Sequence, residues 1–319
     1  MGVGLGAAML GVLLRPRFKL KRKVVVITGG ARGLGFLLAR EVIRRGGKVA
    51  ICSRDEVEVA RARRALSRRG TVFAEACDVT DRAQLHDFLG RVERQLGVVD
   101  VLVNNAGVIQ VGPMEEMTTQ DYEAAMLAHF WAPLYATLEV LPQMRRKHAG
   151  HIVNITSIGA KVAVPHLLPY SASKFAMYGL SAGLRAELAK DSVVVTTVCP
   201  GLMRTGSAGH ASLKGQADSE YAWFKTASTL PGLSMSAKRA ARQILDASAR
   251  GDAELVLSLP AKVLARLHAL APSFVQNVLG VVNRVLPGPE RRPLAAGSVG
   301  PPYVPPVAER ETDARAGVD

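Results

Sequence analysis

Short apolar runs and longer amphipathic stretches alternate along the chain from Lys23 onward. The first run, VVVIT (Val24–Thr28), is continuous and β-branched, the pattern of a strand buried on both faces. A glycine-rich turn follows. Next comes LGFLLAREVIRRG, apolar at helical spacing, with Gly46 as its stop. VAICS (Val49–Ser53) reads as the second strand, and DEVEVARARRALSRRG as a charged helix ending at Gly70. TVFAEAC is the third strand. Thr80 is expected to cap the helix DRAQLHDFLGRVERQLG, and VDVLVNN follows as the fourth strand. One long helix is expected from Thr119 to Lys147. HIVNITS, a helix opening in LLPYSASKFAMYGL, and VVVTTVC (Val193–Cys199) come next. A helix from Ser236 leads into AELVLSL (Ala253–Leu259) as the seventh strand.

This alternation predicts an α/β chain: a doubly wound, mostly seven-stranded parallel sheet with right-handed crossovers and helices on both faces. The expected domain runs from 23 to 259. Residues 260–286 hold two apolar helical segments broken near Pro272, with Phe274, Val275, Val278, Leu279, Val282, Val285 and Leu286 at helical spacing. They could cover a pocket, pair with another subunit or lie on a membrane. Residues 287–319 are rich in Pro, Gly, Ala and charge and read as a disordered tail. Residues 1–22 form an apolar and then basic extension. Its apolar run, Met1 to Leu14, is shorter than the roughly 20 residues of a spanning helix, and it lacks the basic start of a signal peptide. An interfacial anchor and an extension packed on the domain are both open readings.

Composition changes this picture little. The 319 residues are 48% hydrophobic, enough for one large domain with a full core. Cys52, Cys77 and Cys199 form no C-x-x-C pair and end strand-like runs, which implies buried, reduced thiols in a cytoplasmic compartment and no metal site. The formal charge is +14, carried mostly by arginines such as Arg61, Arg63, Arg64, Arg68 and Arg69. No aromatic residues interleave with them, so the pattern speaks against nucleic acid and for solvated helix faces, with contact to an anionic membrane surface as the second reading.

The turn after the first strand carries Thr28, Gly29, Arg32, Gly33, Leu34 and Gly35, a T-G-x-x-x-G-x-G arrangement between strand and helix. Glycines there let the backbone approach a pyrophosphate, and the helix N-terminus offers unpaired N–H groups. The second strand ends in Ser53 and Arg54, where a carboxylate would select a ribose 2′-hydroxyl. A hydroxyl with two cations, Arg32 and Arg54, suits a phosphate monoester, so NADP (NADPH) is the expected cofactor over NAD.

YSASK places Tyr170 one helical turn before Lys174, so phenol and ammonium share a face. The glycine turn, CDVTD (Cys77–Asp81), NNAG (Asn104–Gly107), Ser157, YSASK and Pro200-Gly201 occur in this order, and over 23–259 the chain resembles the short-chain dehydrogenase/reductases, Rossmann-fold enzymes. The resemblance implies that Asp78 and Val79 flank the adenine and that Asn104 stabilises the sheet. Asn105, Ala106 and Gly107 would line the cofactor cleft. Pro200, Gly201 and Thr205 would lie near the nicotinamide, and residues 203–235 would form the substrate lid. Tyr170 would exchange a proton with an alcohol or carbonyl oxygen. A neighbouring ammonium, together with the positive nicotinamide of oxidised cofactor, is expected to lower its pKa from ~10. Lys174 would also hold the cofactor ribose, and Ser157 would orient the substrate oxygen.

One position departs from the family pattern. His129 stands where the resemblance expects an asparagine that holds a relay water. A functional replacement and a packed histidine are both open. The lid residues Tyr221, Trp223, Phe224 and Leu230 suggest a lipophilic alcohol or ketone. The competing function is an NADP-binding regulatory or scaffold protein with weak turnover. Homo-oligomers are implied by the resemblance, through the helix that bears Tyr170.

Overall fold

A computed structural model describes residues 17–289, apart from 231 and 233. The expected apolar run at Met1–Leu14 and the tail from 290 lie outside the described residues. Seven strands form one sheet: β1 (Val24–Thr28), β2 (Lys48–Ser53), β3 (Val72–Ala76), β4 (Val101–Asn104), β6 (Gly150–Ile155), β7 (Val193–Pro200) and β11 (Glu254–Leu257). Their spatial order is β11-β7-β6-β4-β1-β2-β3, and every pairing is parallel. β5 (Gln110–Val111), β8 (Met203–Arg204), β9 (Ser212–Leu213) and β10 (Met235–Ser236) form two short pairs outside it.

The fully buried run Val24–Thr28 explains the central place of β1, which pairs with β2 on one side and β4 on the other. The chain winds outward from β1 to β3, then returns to build the other half from β4. That reversal opens a crevice at the carboxyl ends of β1 and β4.

The helices are α1 (Gly33–Arg44), α2 (Glu56–Ser67), α3 (Arg82–Leu96), α4 (Thr119–Met126), α5 (Ala132–Lys147), α6 (Leu168–Leu188), α7 (Ala217–Thr229), α8 (Ala237–Arg250), α9 (Leu259–Leu270) and α10 (Pro272–Asn283). Leu38 and Val42 of α1 and Ile244 of α8 close one face of the sheet. Phe88 of α3, Ala136 of α5 and Leu188 of α6 close the other. Each fully buried Leu, Val, Ile or Phe side chain stabilises the fold by about 1.5–3 kcal/mol. Inside the sheet, Asn104 Nδ2 donates to Asn154 (2.8 Å) and Asn154 Nδ2 donates to Ser181 (2.9 Å). The Ser181 hydroxyl then meets Thr197 at 2.7 Å. This buried polar chain ties β4, β6 and β7 to α6.

One expectation is corrected and one refined. Asp81, not Thr80, caps α3, accepting from the N–H groups of Ala83 (2.9 Å) and Gln84 (3.1 Å). Asp78 instead takes the Thr80 hydroxyl, at 2.7 Å. The single helix from Thr119 to Lys147 is interrupted by a π-helical turn at Leu127–Trp131. Packing begins upstream of Lys23: the Phe18 N–H donates to Ala249 O (2.8 Å), and Leu20 is buried in the core. Of the readings left open for residues 260–286, the first turns of α9 match the pocket-covering one: Pro260, Ala261 and Leu264 line the crevice.

Candidate active site

The crevice is a cleft of about 810 Å³. At its floor the chain leaves β1 through Gly29 and Gly33, with φ of +63° and +54°, angles that a side chain would strain. A β-carbon on Gly29 would sit 2.8 Å from Ala106 Cα, and one on Gly35 would drive into the Gly29 carbonyl oxygen. No side chain caps α1 at Arg32, so the first N–H groups of α1, at Gly33, Leu34 and Gly35, open toward the cleft. Thr28 Oγ1 accepts from the N–H groups of Asn105 (3.0 Å) and Ala106 (3.1 Å). Asn105 Nδ2 donates back to Thr28 O and Gly29 O. Asn105 therefore braces the glycine turn as well as lining the cleft. The shape and donor set fit a dinucleotide pyrophosphate: bare backbone, open N–H groups and no carboxylate at the turn.

Ser53, Arg54, Arg32, Asp78 and Val79 line the far end of the same cleft. Asp55 turns away to cap α2, accepting from Glu58 N at 2.9 Å. Arg32 Nε lies 3.3 Å from Glu58 Oε2, an ion pair that the sequence reading missed. Arg54 is exposed and makes no hydrogen bond or ion pair among the described residues.

Ser157 follows β6, and α6 carries Tyr170 and Lys174 to the same wall of the cleft. Ser157 Oγ accepts from Gly159 N at 3.0 Å, which leaves its hydroxyl hydrogen for the phenol. Lys174 is buried and donates from Nζ to Ile155 O at 3.0 Å; Nζ lies 5.7 Å from the Tyr170 ring centre. Burial, with no carboxylate nearby, lowers the Lys174 pKa to about 7. Burial raises the Tyr170 pKa above 10, while a hydrogen bond from Ser157 pulls the other way. Lys174 is not among the groups that shift the phenol, so the expected lowering by the ammonium is absent when only protein groups act. Beneath them, burial pushes the Cys199 thiol up to about 11.

His129 lies in the π turn with no exposed surface. Its ring meets the Tyr170 ring edge-on, with centres 5.4 Å apart. Nε2 accepts from Val108 N at 3.2 Å, and Nδ1 faces Ser173 Oγ at 2.7 Å. Ser173 sends its only hydroxyl hydrogen to the carbonyls of Pro169 and Tyr170 (2.9 Å each), so its oxygen accepts from Nδ1–H. Both ring nitrogens are therefore engaged with protein, and the ring is neutral. Burial first, and Lys174 second, hold its pKa well below 6.5. A β-carbon at Gly107 would lie 2.7 Å from Nε2, so that glycine makes room for the imidazole. Of the two open readings of His129, the geometry supports the packed one.

Pro200, Gly201 and Thr205 line the opposite side, at the end of β7 and the start of the lid. A β-carbon on Gly201 would meet Ser258 Oγ at 2.7 Å, so Gly201 also admits the start of α9. Trp223 and Phe224 of α7 close the outer end, as the lid composition suggested. Val164, Leu167, Ala261 and Leu264 also line it and were not foreseen; only the apolar pattern at 261–286 hinted at the last two.

Residues 23–214 match the family model for short chain dehydrogenases. A dehydrogenase/reductase SDR family protein 7-like of Anopheles gambiae is 33% identical over 261 residues, covering 80% of this chain and 81% of that one. An uncharacterized oxidoreductase of Bacillus subtilis is 33% identical over 187 residues, 58% of this chain and 73% of the other. The crystal structure of a short-chain dehydrogenase from Streptomyces avermitilis superposes with a TM-score of 0.70 at 29% identity, over 82% of this chain and 97% of that one. The ordered motifs, the seven-stranded parallel sheet and these matches agree: the chain is an oxidoreductase of the short-chain dehydrogenase family.

Proposed function

We propose that the protein reduces an apolar ketone to an alcohol, or runs the reverse reaction, with NADP as cofactor. The convergence of Ser157, Tyr170 and Lys174 on a cleft whose outer wall is apolar supports this reading. Gly29, Gly33, Leu34 and Gly35 would hold the pyrophosphate, and Ser53, Arg32 and Arg54 the ribose phosphate. Asp78 and Val79 would flank the adenine. Asn105, Ala106, Gly107, Pro200, Gly201 and Thr205 would line the nicotinamide end. When bound, the cofactor supplies or accepts the hydride.

Ser157 turns its one hydroxyl hydrogen from the phenol to the substrate oxygen and orients it. Tyr170, kept protonated near neutral pH by burial, delivers its phenolic proton to that oxygen. Lys174 presents its remaining Nζ hydrogens to the cofactor ribose and steadies the phenolate left behind. A protonated phenol suits the reductive direction. The test is NADPH consumption against a panel of ketones, with Tyr170→Phe as control. Turnover lost with retained NADPH binding supports the assignment; tighter binding of NADH than NADPH removes the NADP assignment. NADPH binding without turnover on any ketone would favour the alternative, a regulatory binding protein.

Two partner assignments belong to the same reading. Phe175, Gly179 and Gly183 form an i, i+4, i+8 stripe on α6; Phe175 is exposed and the glycines face open space. Such a stripe supports pairing of two copies through α6. On α9 and α10, Leu259, Val263, Leu270, Phe274 and Val281 are exposed beside Lys262, Arg266 and Arg284. The segment from Leu259 to Leu286 contains no Asp or Glu. An apolar face with only basic neighbours complements an anionic lipid surface and disfavours self-pairing. Peripheral membrane contact is assigned to this face.

A further inference from the structure

Outside the Ser157–Tyr170–Lys174 group, the described residues hold one buried carboxyl group beside the cleft that the proposed reaction does not use. Glu220, on lid helix α7, is fully buried. Its Oε1 accepts from His166 Nδ1 at 2.7 Å, and its Oε2 accepts from the Trp223 indole N–H at 2.5 Å. His166 is buried too, and its ring stands edge-on to the indole at 6.2 Å.

The two ends of this bridge belong to different parts of the site. His166 lies four residues before Tyr170, in the segment that leads into α6. It holds φ at +62°, a conformation costly for a side chain and maintained only where surroundings enforce it. Its carbonyl accepts from Gly112 N at 2.9 Å, which ties the same segment to the β5 edge. Trp223 belongs to the lid and, with Phe224 and Leu167, lines the substrate end of the cleft. Burying a carboxyl group is costly unless each oxygen is satisfied, and here each has one donor. The Glu220 bond fixes the indole nitrogen, and with it the plane of the ring that faces the substrate.

We propose that His166–Glu220–Trp223 is a clasp that sets substrate specificity: Glu220 is a positioning residue that holds the Trp223 ring as the wall against which the apolar part of a bulky ketone packs. The inference rests on the proposed reductase reading, so its test has one arm without turnover. In a Trp131→Phe background Trp223 is the only tryptophan. Adding Glu220→Leu, which removes both acceptors at similar volume, is expected to raise acrylamide quenching of Trp223 about twofold, as the indole N–H loses its carboxylate partner. Unchanged quenching in the folded variant would overturn the clasp, whatever the enzyme reduces.

The second arm is kinetic. Glu220→Leu and Trp223→Phe are each expected to raise KM for bulky apolar ketones about tenfold, with kcat changed less than about threefold and KM for NADPH unchanged. Trp223→Phe keeps an aromatic ring and removes only the N–H and part of the wall, so it guards against misfolding of the Glu220 variant. Equal KM increases for acetone-sized and bulky ketones, or a loss confined to kcat, would overturn the specificity role. A wild-type protein that reduces no ketone, yet shows the quenching change, would remove the reductase reading and leave the clasp as a structural fact of the lid.

Discussion

His129 shows how one residue changes its meaning once its neighbours are known. Both ring nitrogens bond protein, to Val108 and Ser173, and burial keeps the ring neutral. His129→Asn should therefore act as a packing lesion. It is expected to lower stability by about 2–4 kcal/mol, since it opens a cavity and leaves buried groups unpaired. The pH profile of turnover above pH 6.5 should not move, because a ring that stays neutral there contributes no ionisation. Denaturant melts and a pH–rate series decide this; a shifted profile would restore the relay role. Lys174 makes the second residue-scale prediction. Its folded pKa, about 7, lies below the unfolded ~10.4. Between these values the unfolded chain binds the extra proton, so this group's contribution to stability rises with pH. Below pH 7 both states are charged and the penalty is constant; above about 10.4 it is gone. The melting temperature of wild type relative to Lys174→Met should climb from pH 7 to 10 and be flat from 5 to 6.5.

Among the elements, the β1–α1 turn and the π turn do the positioning. Gly35 has no room for a methyl group: its β-carbon would collide with Gly29 O and approach Asn105 Nδ2 to 2.6 Å. Gly35→Ala should weaken dinucleotide binding at least about a hundredfold, because backbone approach to the phosphates is lost. Gly35 is buried, so the same clash should also lower the melting temperature; isothermal titration with NADPH beside a thermal melt separates the two effects. The π turn at Leu127–Trp131 inserts an extra residue into the helix and sets His129 against Tyr170. A regular helix through Thr119–Lys147 would carry every later side chain to a different angle.

At the scale of the whole molecule, a charge of +14 and the bare faces of α9 and α10 act together. Leu270 is 86% exposed and Phe274 60%, in a segment whose charged residues are all basic. Sedimentation with phosphatidylglycerol vesicles should pull the protein down at low salt. Binding should weaken severalfold at about 0.5 M salt, where screening falls below ~5 Å, and should fail with phosphatidylcholine alone. Leu270→Glu with Phe274→Glu should abolish it and leave turnover on a soluble ketone unchanged. Equal binding to both lipids would contradict the electrostatic part; no binding at low salt would contradict the surface assignment.

Much of this molecule was legible in its sequence because the signals are local. Val24–Thr28 needs only its β-branched run to be a central strand, and the glycine turn needs only its spacing to be placed between β1 and α1. Tyr170 and Lys174 share a face by helical period alone. The parallel sheet follows from the βα alternation, since a crossover helix returns the chain in the same direction. What the tertiary structure decided depends on partners far apart in sequence. Arg32 met Glu58, Glu220 met His166, and His129 met Val108 and Ser173 only once separate elements were packed together. Burial, a property of the assembled fold, set the Tyr170 and Lys174 pKa values against the effect that their spacing alone suggested. Spacing along a helix determines which groups can meet; the dielectric around them and the partners that reach them are decided by the fold.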